Sequence, residues 1–374
     1  MIRVAIDATP LIGHRTGVGA FAARAIDGLA GRDEVEITAF AVTWRNRGLL
    51  RSMVPPETRG VRAPMPAGPL HAAWARVDGP VIERWTGPVD VVHGTNCIVP
   101  PARRAAEVVT IHDLTFVHFP ELCDPVSLRF PRLIRRALRR GAFVHADSET
   151  VAAEVIDHFG ARPERVRVVP LGVEPSSSPG LPPGDPAPSG RRYVLALGTV
   201  EPRKDIPSLV RAFDMLAAGH PDVELVIAGA PGWGEVALDT AVRASVHAGR
   251  IRRLGWVDDE ERLALLRGAA VLAYPSLYEG FGLPPLEAMA AGVPVVATAA
   301  GAVPEVVGDA AVLVPIGDEG ALAEAIAGVL DEPDLHRRLV VAGTRRAARF
   351  TWDRCVAGLV ELYEDAAESR GARG

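Results

Sequence analysis

A chain of 374 residues is longer than a single hydrophobic core usually spans, which points to two domains. A formal charge of −5 gives no case for a nucleic-acid partner, and Cys97, Cys123 and Cys355 are too few and too scattered for a disulfide framework or a Cys-x-x-Cys metal site, which favours a reducing compartment. The amino terminus, MIRVAIDATPLIG, enters a strand without a signal-like apolar region, and no charge-free apolar run reaches the ~18 residues of a membrane span, so the expected location is the cytoplasm, at most peripheral to the inner face of a membrane.

In chain order, Val4 to Ala8 reads as a buried strand, and Thr16-Gly17-Val18-Gly19 opens an apolar helix through Leu29. Val35 to Val42 is a second strand, and a Pro/Gly/Arg-rich region of weak periodicity follows to about Leu70. Strands are expected at Val89 to His93, Val108 to His112, Phe143 to Ala146 and Val166 to Val169. Leu128 to Arg140 has helical spacing, with Pro131 early enough to sit in the first turn, and Ser148 caps the next helix. Arg129, Arg132, Arg136 and Arg139 form a basic face on the first of these helices; such a stripe reads either as a solvated face or as an electrostatic contact with anionic lipid or a lipid-linked diphosphate.

From 174 to 190, EPSSSPGLPPGDPAPSG has no periodicity and reads as a linker. Alternation then restarts, with strands at Tyr193 to Leu197, Val223 to Ala228, Ile251 to Leu254, Val271 to Tyr274, Val293 to Ala297 and Ala311 to Val314, and with helices from Ile206 and Asp258. After Thr351, the residues Trp352, Val356, Leu359, Val360 and Tyr363 keep helical spacing. The expectation is α/β throughout, with two Rossmann-like doubly wound parallel sheets: residues 1–173 as one domain, 174–190 as linker, 191–350 as the second domain and 351–374 as a terminal helix.

The densest chemistry runs from Tyr274 to Glu287, YPSLYEGFGLPPLE, between a buried strand and a helix, at the sheet edge where open α/β folds bind ligands. Gly280, Gly282, Pro284 and Pro285 exclude a continuous helix, which puts Glu279 in the loop and Glu287 in the first helical turn. Either acid alone reads equally as a dipole complement or a solvated loop acid. Together, Glu279 and Glu287 within EGFGLPPLEAMAAGVPVVA resemble the E-x7-E signature of glycosyltransferase family 4, retaining nucleotide-sugar enzymes of the GT-B architecture. The resemblance implies a first domain that binds acceptor, a second that binds donor, a terminal helix that crosses back to the first, and a cleft faced by both. It also implies that Glu279 and the backbone of Gly280, Phe281, Gly282 and Leu283 hold sugar hydroxyls and that Glu287 holds the ribose.

Other elements fit the same frame. Lys204 is the only lysine in the chain, and it follows Gly198-Thr199-Val200-Glu201-Pro202-Arg203 directly before a helix. Two cations beside a helix amino terminus suit a diphosphate whose charge grows as the glycosidic bond breaks. Gly198 to Lys204 resembles the G-T-x-E-P-R-K form that many family members show at their diphosphate-binding lysine and arginine, here Lys204 and Arg203, while others carry the arginine where this chain has Thr199. Gly17 and Gly19 resemble its glycine-rich amino-terminal loop, which reaches the donor diphosphate, while a plain helix cap explains them as well. They are no dinucleotide fingerprint, because the strand to Val42 ends in Thr43-Trp44 without a ribose-binding acid.

A histidine at His112 reads as structural from residues alone, and Asp113 as a cap. The resemblance of TIHDLTF to the family's H-D element implies a sugar contact for His112, with Asp113, Asn96 and His93 as acceptor-side candidates. It places the donor base near Gly255 and Val257. Glu305, after Gly301, reads as a first-turn acid, and Asp258-Asp259-Glu260-Glu261 reads as a cap. No Asp-x-Asp occurs anywhere, so the expectation is metal-independent chemistry with no cofactor. The resemblance implies transfer of a hexose with retention of configuration, and its Glu-Pro-Arg-Lys form, which occurs among mannosyltransferases, implies mannose from GDP-mannose ahead of UDP-sugars. A pyridoxal-phosphate phosphorylase, for which Lys204 is the only Schiff-base candidate, and a non-catalytic sugar-nucleotide-binding protein are the rivals.

Overall fold

Residues 1–12, 17–43, 49–63, 66–174 and 191–371 are described by the computed structural model. Beyond Glu174, the expected linker lies outside them, as do Thr16 and Trp44. The chain divides into two units, Met1–Gly172 with Trp352–Gly374, and Val173–Thr351.

The first unit holds seven parallel strands: β1 (Ile2–Asp7), β2 (Val35–Val42), β3 (Arg59–Ala63), β4 (Val91–Gly94), β5 (Ala106–Ile111), β6 (Phe143–Ala146) and β7 (Val166–Val168), in the order β3-β2-β1-β4-β5-β6-β7. The strands β4, β5 and β6 are buried along their whole length, as expected where helices cover both faces of a parallel sheet. The edge strand β3 has no counterpart in the sequence reading. Its sequence, RGVRA, lacks an apolar run, and only its pairing with β2 from Thr38 to Val42 makes it a strand.

Helix α1 (Gly17–Ala30) follows β1, so Gly17 and Gly19 belong to its first turn and not to a preceding loop. Helix α2 (Phe130–Arg140) starts later than expected, after a 3-10 turn at Ser127–Arg129, with Pro131 tolerated in its first turn. Ser148 accepts from Val151 N and caps α3 (Glu149–Phe159). The terminal helix Trp352–Gly371 joins this unit by burying Cys355, Val356, Leu359, Leu362, Tyr363 and Ala366. Among the described residues, no helix is long and apolar enough to cross a membrane.

The second unit holds β8 (Arg192–Leu197), β9 (Val223–Ala228), β10 (Ile251–Gly255), β11 (Val271–Tyr274), β12 (Val295–Thr298) and β13 (Val312–Val314), all parallel and in the order β10-β9-β8-β11-β12-β13. Helices α4 (Ile206–Ala217), α5 (Asp259–Gly268) and α6 (Leu283–Ala290) follow β8, β10 and β11. Strand order reverses between β1 and β4 in the first sheet and between β8 and β11 in the second. The crevice at the carboxyl ends of such strand pairs is where doubly wound sheets take ligands.

Candidate active site

In the second unit, the switch point brings Arg203, Lys204 and Glu279, three of the expected donor residues, into one cluster. The turn Pro202–Lys204 after β8 and the loop after β11 are tied by Leu277 N donating to Arg203 O at 2.8 Å. Lys204 Nζ donates to Glu279 Oε1 at 2.5 Å, and Arg203 NH1 donates to Glu279 Oε2 at 2.8 Å. Lys204 also donates to the Tyr274 hydroxyl at 2.7 Å, and Arg203 Nε to Glu201 Oε2 at 3.0 Å. Lys204 and Glu279 are 8% and 5% exposed, so these are desolvated contacts. Burial alone would raise the Glu279 carboxyl; Arg203 and Lys204 outweigh it and hold the group at about 2. Burial pulls the Lys204 ammonium below its ordinary value, against the opposing pull of Glu279.

The two cations stand beside the amino terminus of α4, as expected, and the structure adds a shared buried carboxylate as their partner. Each is already engaged by Glu279, so an anion arriving there would have to share or displace that carboxylate. Gly301, expected at a strand-helix turn facing the crevice, sits against the Glu279 backbone. Its φ is +53°, and a Cβ there would stand 2.2 Å from Glu279 O, which also accepts from Ala302 N at 2.8 Å. Glycine is required by that approach. Gly198, just past β8, has φ +143°, and the close approach there falls on Gly229, where a Cβ would stand 1.8 Å from Gly198 O.

Helix α6 begins after Gly282, which is in the left-handed region at φ +107°. Phe281 and Leu283 are buried, and the Phe281 ring meets Phe350 edge-on at 5.9 Å, so a ligand can meet this stretch only through its backbone. Glu287 lies in the second turn of α6, not the first, because the helix starts at Leu283 despite two prolines. It is paired with Arg262 of α5, a partner the sequence did not suggest because α5 and α6 lie apart in the chain. Burial lifts the Glu287 carboxyl, with Arg262 opposing. Gly255 ends β10 at φ +72°, its carbonyl accepting from Gly229 N at 2.8 Å, and Val257 is half-buried beside the exposed Trp256. Asp258 and Glu261 form a capping box on α5, and Glu305 is in the first turn of the short helix Val303–Val307. Among the described residues, no three His, Cys, Asp or Glu side chains are grouped to hold a metal ion.

The first unit brings His112, Asp113 and Asn96 to the carboxyl edge of its sheet. His112, just past β5, has Nδ1 2.6 Å from Asp147 Oδ2 and Nε2 3.0 Å from Thr95 O. Burial would lower the imidazole, and Asp147 outweighs it, so the net shift is upward. Asp113 Oδ1 accepts from Thr115 N at 2.9 Å and caps a helical turn. Asn96 is half-buried. His93 is not at the edge: it is wholly buried, with Nδ1 2.7 Å from the Tyr363 hydroxyl and Nε2 2.7 Å from Thr110 Oγ1. Burial drives its pKa well down, as in a neutral core histidine. Gly17 is exposed at the start of α1, and Gly19 is buried. Asp7, at the end of β1, was not singled out from sequence; burial lifts its carboxyl to about 6, against two hydrogen bonds from Thr9.

Arg129, just before α2, and Arg132 and Arg139 on it are exposed, whereas Arg136 pairs with Asp78 at 2.6 Å and is part of the fold.

Residues 182–346 match the sequence profile of Glycosyl transferases group 1, and residues 15–177 match that of Glycosyltransferase Family 4. The chain is 31% identical over 283 residues to O-antigen chain mannosyltransferase B of Escherichia coli, covering 73% of this chain and 74% of that protein. The chain belongs to glycosyltransferase family 4. This family 4 transferase, of the mannosyltransferase-like kind, is also 33% identical over 304 residues to the MMP alpha-(1->4)-mannosyltransferase of Mycolicibacterium hassiacum, covering 75% and 71% of the two chains. Its fold is similar to that of HepE from Anabaena solved with UDP-glucose, at a TM-score of 0.70 and 18% identity over the full length of both. The family 4 enzyme thus has the GT-B architecture of two parallel-sheet domains.

Proposed function

We propose that this enzyme transfers a hexose from a nucleotide diphosphate sugar to an acceptor hydroxyl with retention of configuration and without a metal ion, mannose from GDP-mannose being the favoured donor. The observation that carries the reading is the Arg203–Glu279–Lys204 cluster at the β8/β11 switch point. In it, two fixed cations meet where a leaving diphosphate gains charge, so they supply what a divalent ion supplies elsewhere. Glu279 keeps the cations in place, and lone pairs on its oxygens beyond those used by Arg203 and Lys204 suit sugar hydroxyls. Glu287, with Oε2 committed to Arg262, offers Oε1 to the ribose. The acceptor side falls to the first unit, through His112 and Asn96.

Both mannosyltransferase relatives favour mannose. The name of the second also specifies an α-linked product, which is retention from an α-linked nucleotide sugar. In this reading no side chain becomes a nucleophile: the acceptor attacks from the face the diphosphate leaves, and the leaving phosphate takes the proton. UDP-sugars are the second reading, favoured by the UDP-glucose bound to HepE. A thermal-shift panel of GDP, UDP and their sugars decides the base, since a ligand that binds only the folded state stabilises it by an amount that grows with the logarithm of its concentration over Kd. Transfer assays with the winning sugar and NMR of the product's anomeric proton test the rest. An inverted product, or turnover abolished by chelator and restored by a divalent ion, overturns the proposal.

A further inference from the structure

The mechanism uses His112 and leaves its buried partner unexplained. Asp147 sits at the carboxyl end of β6, 1% exposed, with Oδ2 2.6 Å from His112 Nδ1 and Oδ1 without a hydrogen-bond partner. The other ring nitrogen of His112 faces Thr95 O at 3.0 Å. A carbonyl can only accept, and a carboxylate only accepts when ionised. Both ring nitrogens must then donate, which is the imidazolium form. The Thr95 side is rigid as well: Thr95 Oγ1 donates to Asp7 O at 2.8 Å, Cys97 N donates to Thr110 O at 2.8 Å, and Gly94 lets the turn fold so closely that a Cβ would stand 1.8 Å from Ile98 O. Phe21 of α1 meets the His112 ring edge-on at 5.2 Å.

We infer that Asp147 is the positioning residue of His112, holding it as a fixed N–H donor at the acceptor-side edge and removing it as a general base. This rests on the proposed transfer reaction only for its kinetic readout. The ligand oxygen that His112 meets, a sugar hydroxyl, would share the Nε2–H with Thr95 or take it over. The charged and titratable groups that face the ring are Asp147 from β6, Asp113 beside it in sequence, His93 from β4, His145 from β6 and the Cys97 thiol. Of these only Asp147 and Asp113 are carboxyl groups, and Asp113 is committed to Thr115 N. His145 does not compete for Asp147: its Nε2 lies 2.9 Å from Val169 O and 3.6 Å from Asp147 Oδ1.

The test is histidine-selective ¹⁵N NMR of the full chain through pH 5 to 9, with His112→Gln for assignment, on wild type and on Asp147→Asn. In wild type, both His112 nitrogens keep imidazolium shifts well past the ordinary histidine midpoint of about 6.5. In Asp147→Asn the midpoint falls by a unit or more, and transfer becomes pH-dependent, rescued toward low pH, with kcat changing more than the donor KM; Asp147→Glu restores part of the wild-type profile. A neutral His112 in wild type at pH 7, or an unchanged midpoint in Asp147→Asn, overturns the inference. Should Asp147→Asn fail to fold, the wild-type titration alone decides. Should no nucleotide sugar be turned over, the spectra still decide, and the failure then falls on the reaction and not on Asp147.

Discussion

Lys204 Nζ and Glu279 Oε1 lie 2.5 Å apart inside the second unit, so the chain's single lysine is committed to a buried ion pair. Lys204→Ala removes one electrostatic stabiliser of the leaving diphosphate and should cost about 10²–10³ in turnover. It also strands part of a buried carboxylate's charge, a loss of roughly 3–5 kcal/mol when the partner is fully removed, moderated here because Arg203 still engages Glu279. Turnover and melting temperature should fall together, measured by product formation and calorimetry. Normal turnover in a folded variant would sink the diphosphate assignment.

Gly301→Ala tests the backbone support of Glu279 without touching a charge. The added methyl would stand 2.2 Å from Glu279 O at a positive φ, so the Glu279 loop must shift. A non-glycine residue held in that region costs on the order of 1–3 kcal/mol, and the shift disturbs a site sensitive to about 1 Å. Loss of kcat exceeding the loss of stability is the expected result in paired kinetics and melts.

The acid limb of stability should carry the signature of Glu279. Its folded value of about 2 lies below the unfolded carboxylate value of about 4.3, so the folded state binds fewer protons and gains stability above about pH 4.3. That gain disappears as pH falls toward about 2. The stability difference between wild type and Glu279→Gln should therefore be largest at neutral pH and shrink between about pH 4.3 and 2, read from urea melts. A pH-independent difference would mean that the ion pairs do not set the carboxyl.

If peripheral membrane contact is made through α2, it falls to Arg129, Arg132 and Arg139, because Arg136 is spent on Asp78. At about 1 kcal/mol per basic residue near an anionic surface, replacing those three by glutamine should lower partition onto phosphatidylserine vesicles by roughly a hundredfold. Arg136→Gln should act on stability instead. No vesicle binding by wild type in co-sedimentation would leave the stripe as a solvated face.

Much of this was legible because local pattern suffices for it. Buried parallel strands are continuous apolar runs, so Val223–Ala228, Val271–Tyr274 and Phe143–Ala146 were read at the bounds the fold has. Ser148 and Asp258 were readable as caps because a cap acts within a turn of itself. Harder cases failed for a common reason: β3 exists only through its neighbour, Glu287 is fixed by an arginine on another helix, and His93 and His112 are both histidines at or just past strand ends, separated only by what surrounds them.

Sequence alone determined the alternating parallel architecture and the family, since each is carried by residue type and short spacing. Tertiary structure decided the states of the side chains. It paired both cations with Glu279, turned His93 into core, gave His112 a buried carboxylate and made Gly301 indispensable, because charge, burial and close approach depend on distances between residues far apart in the chain.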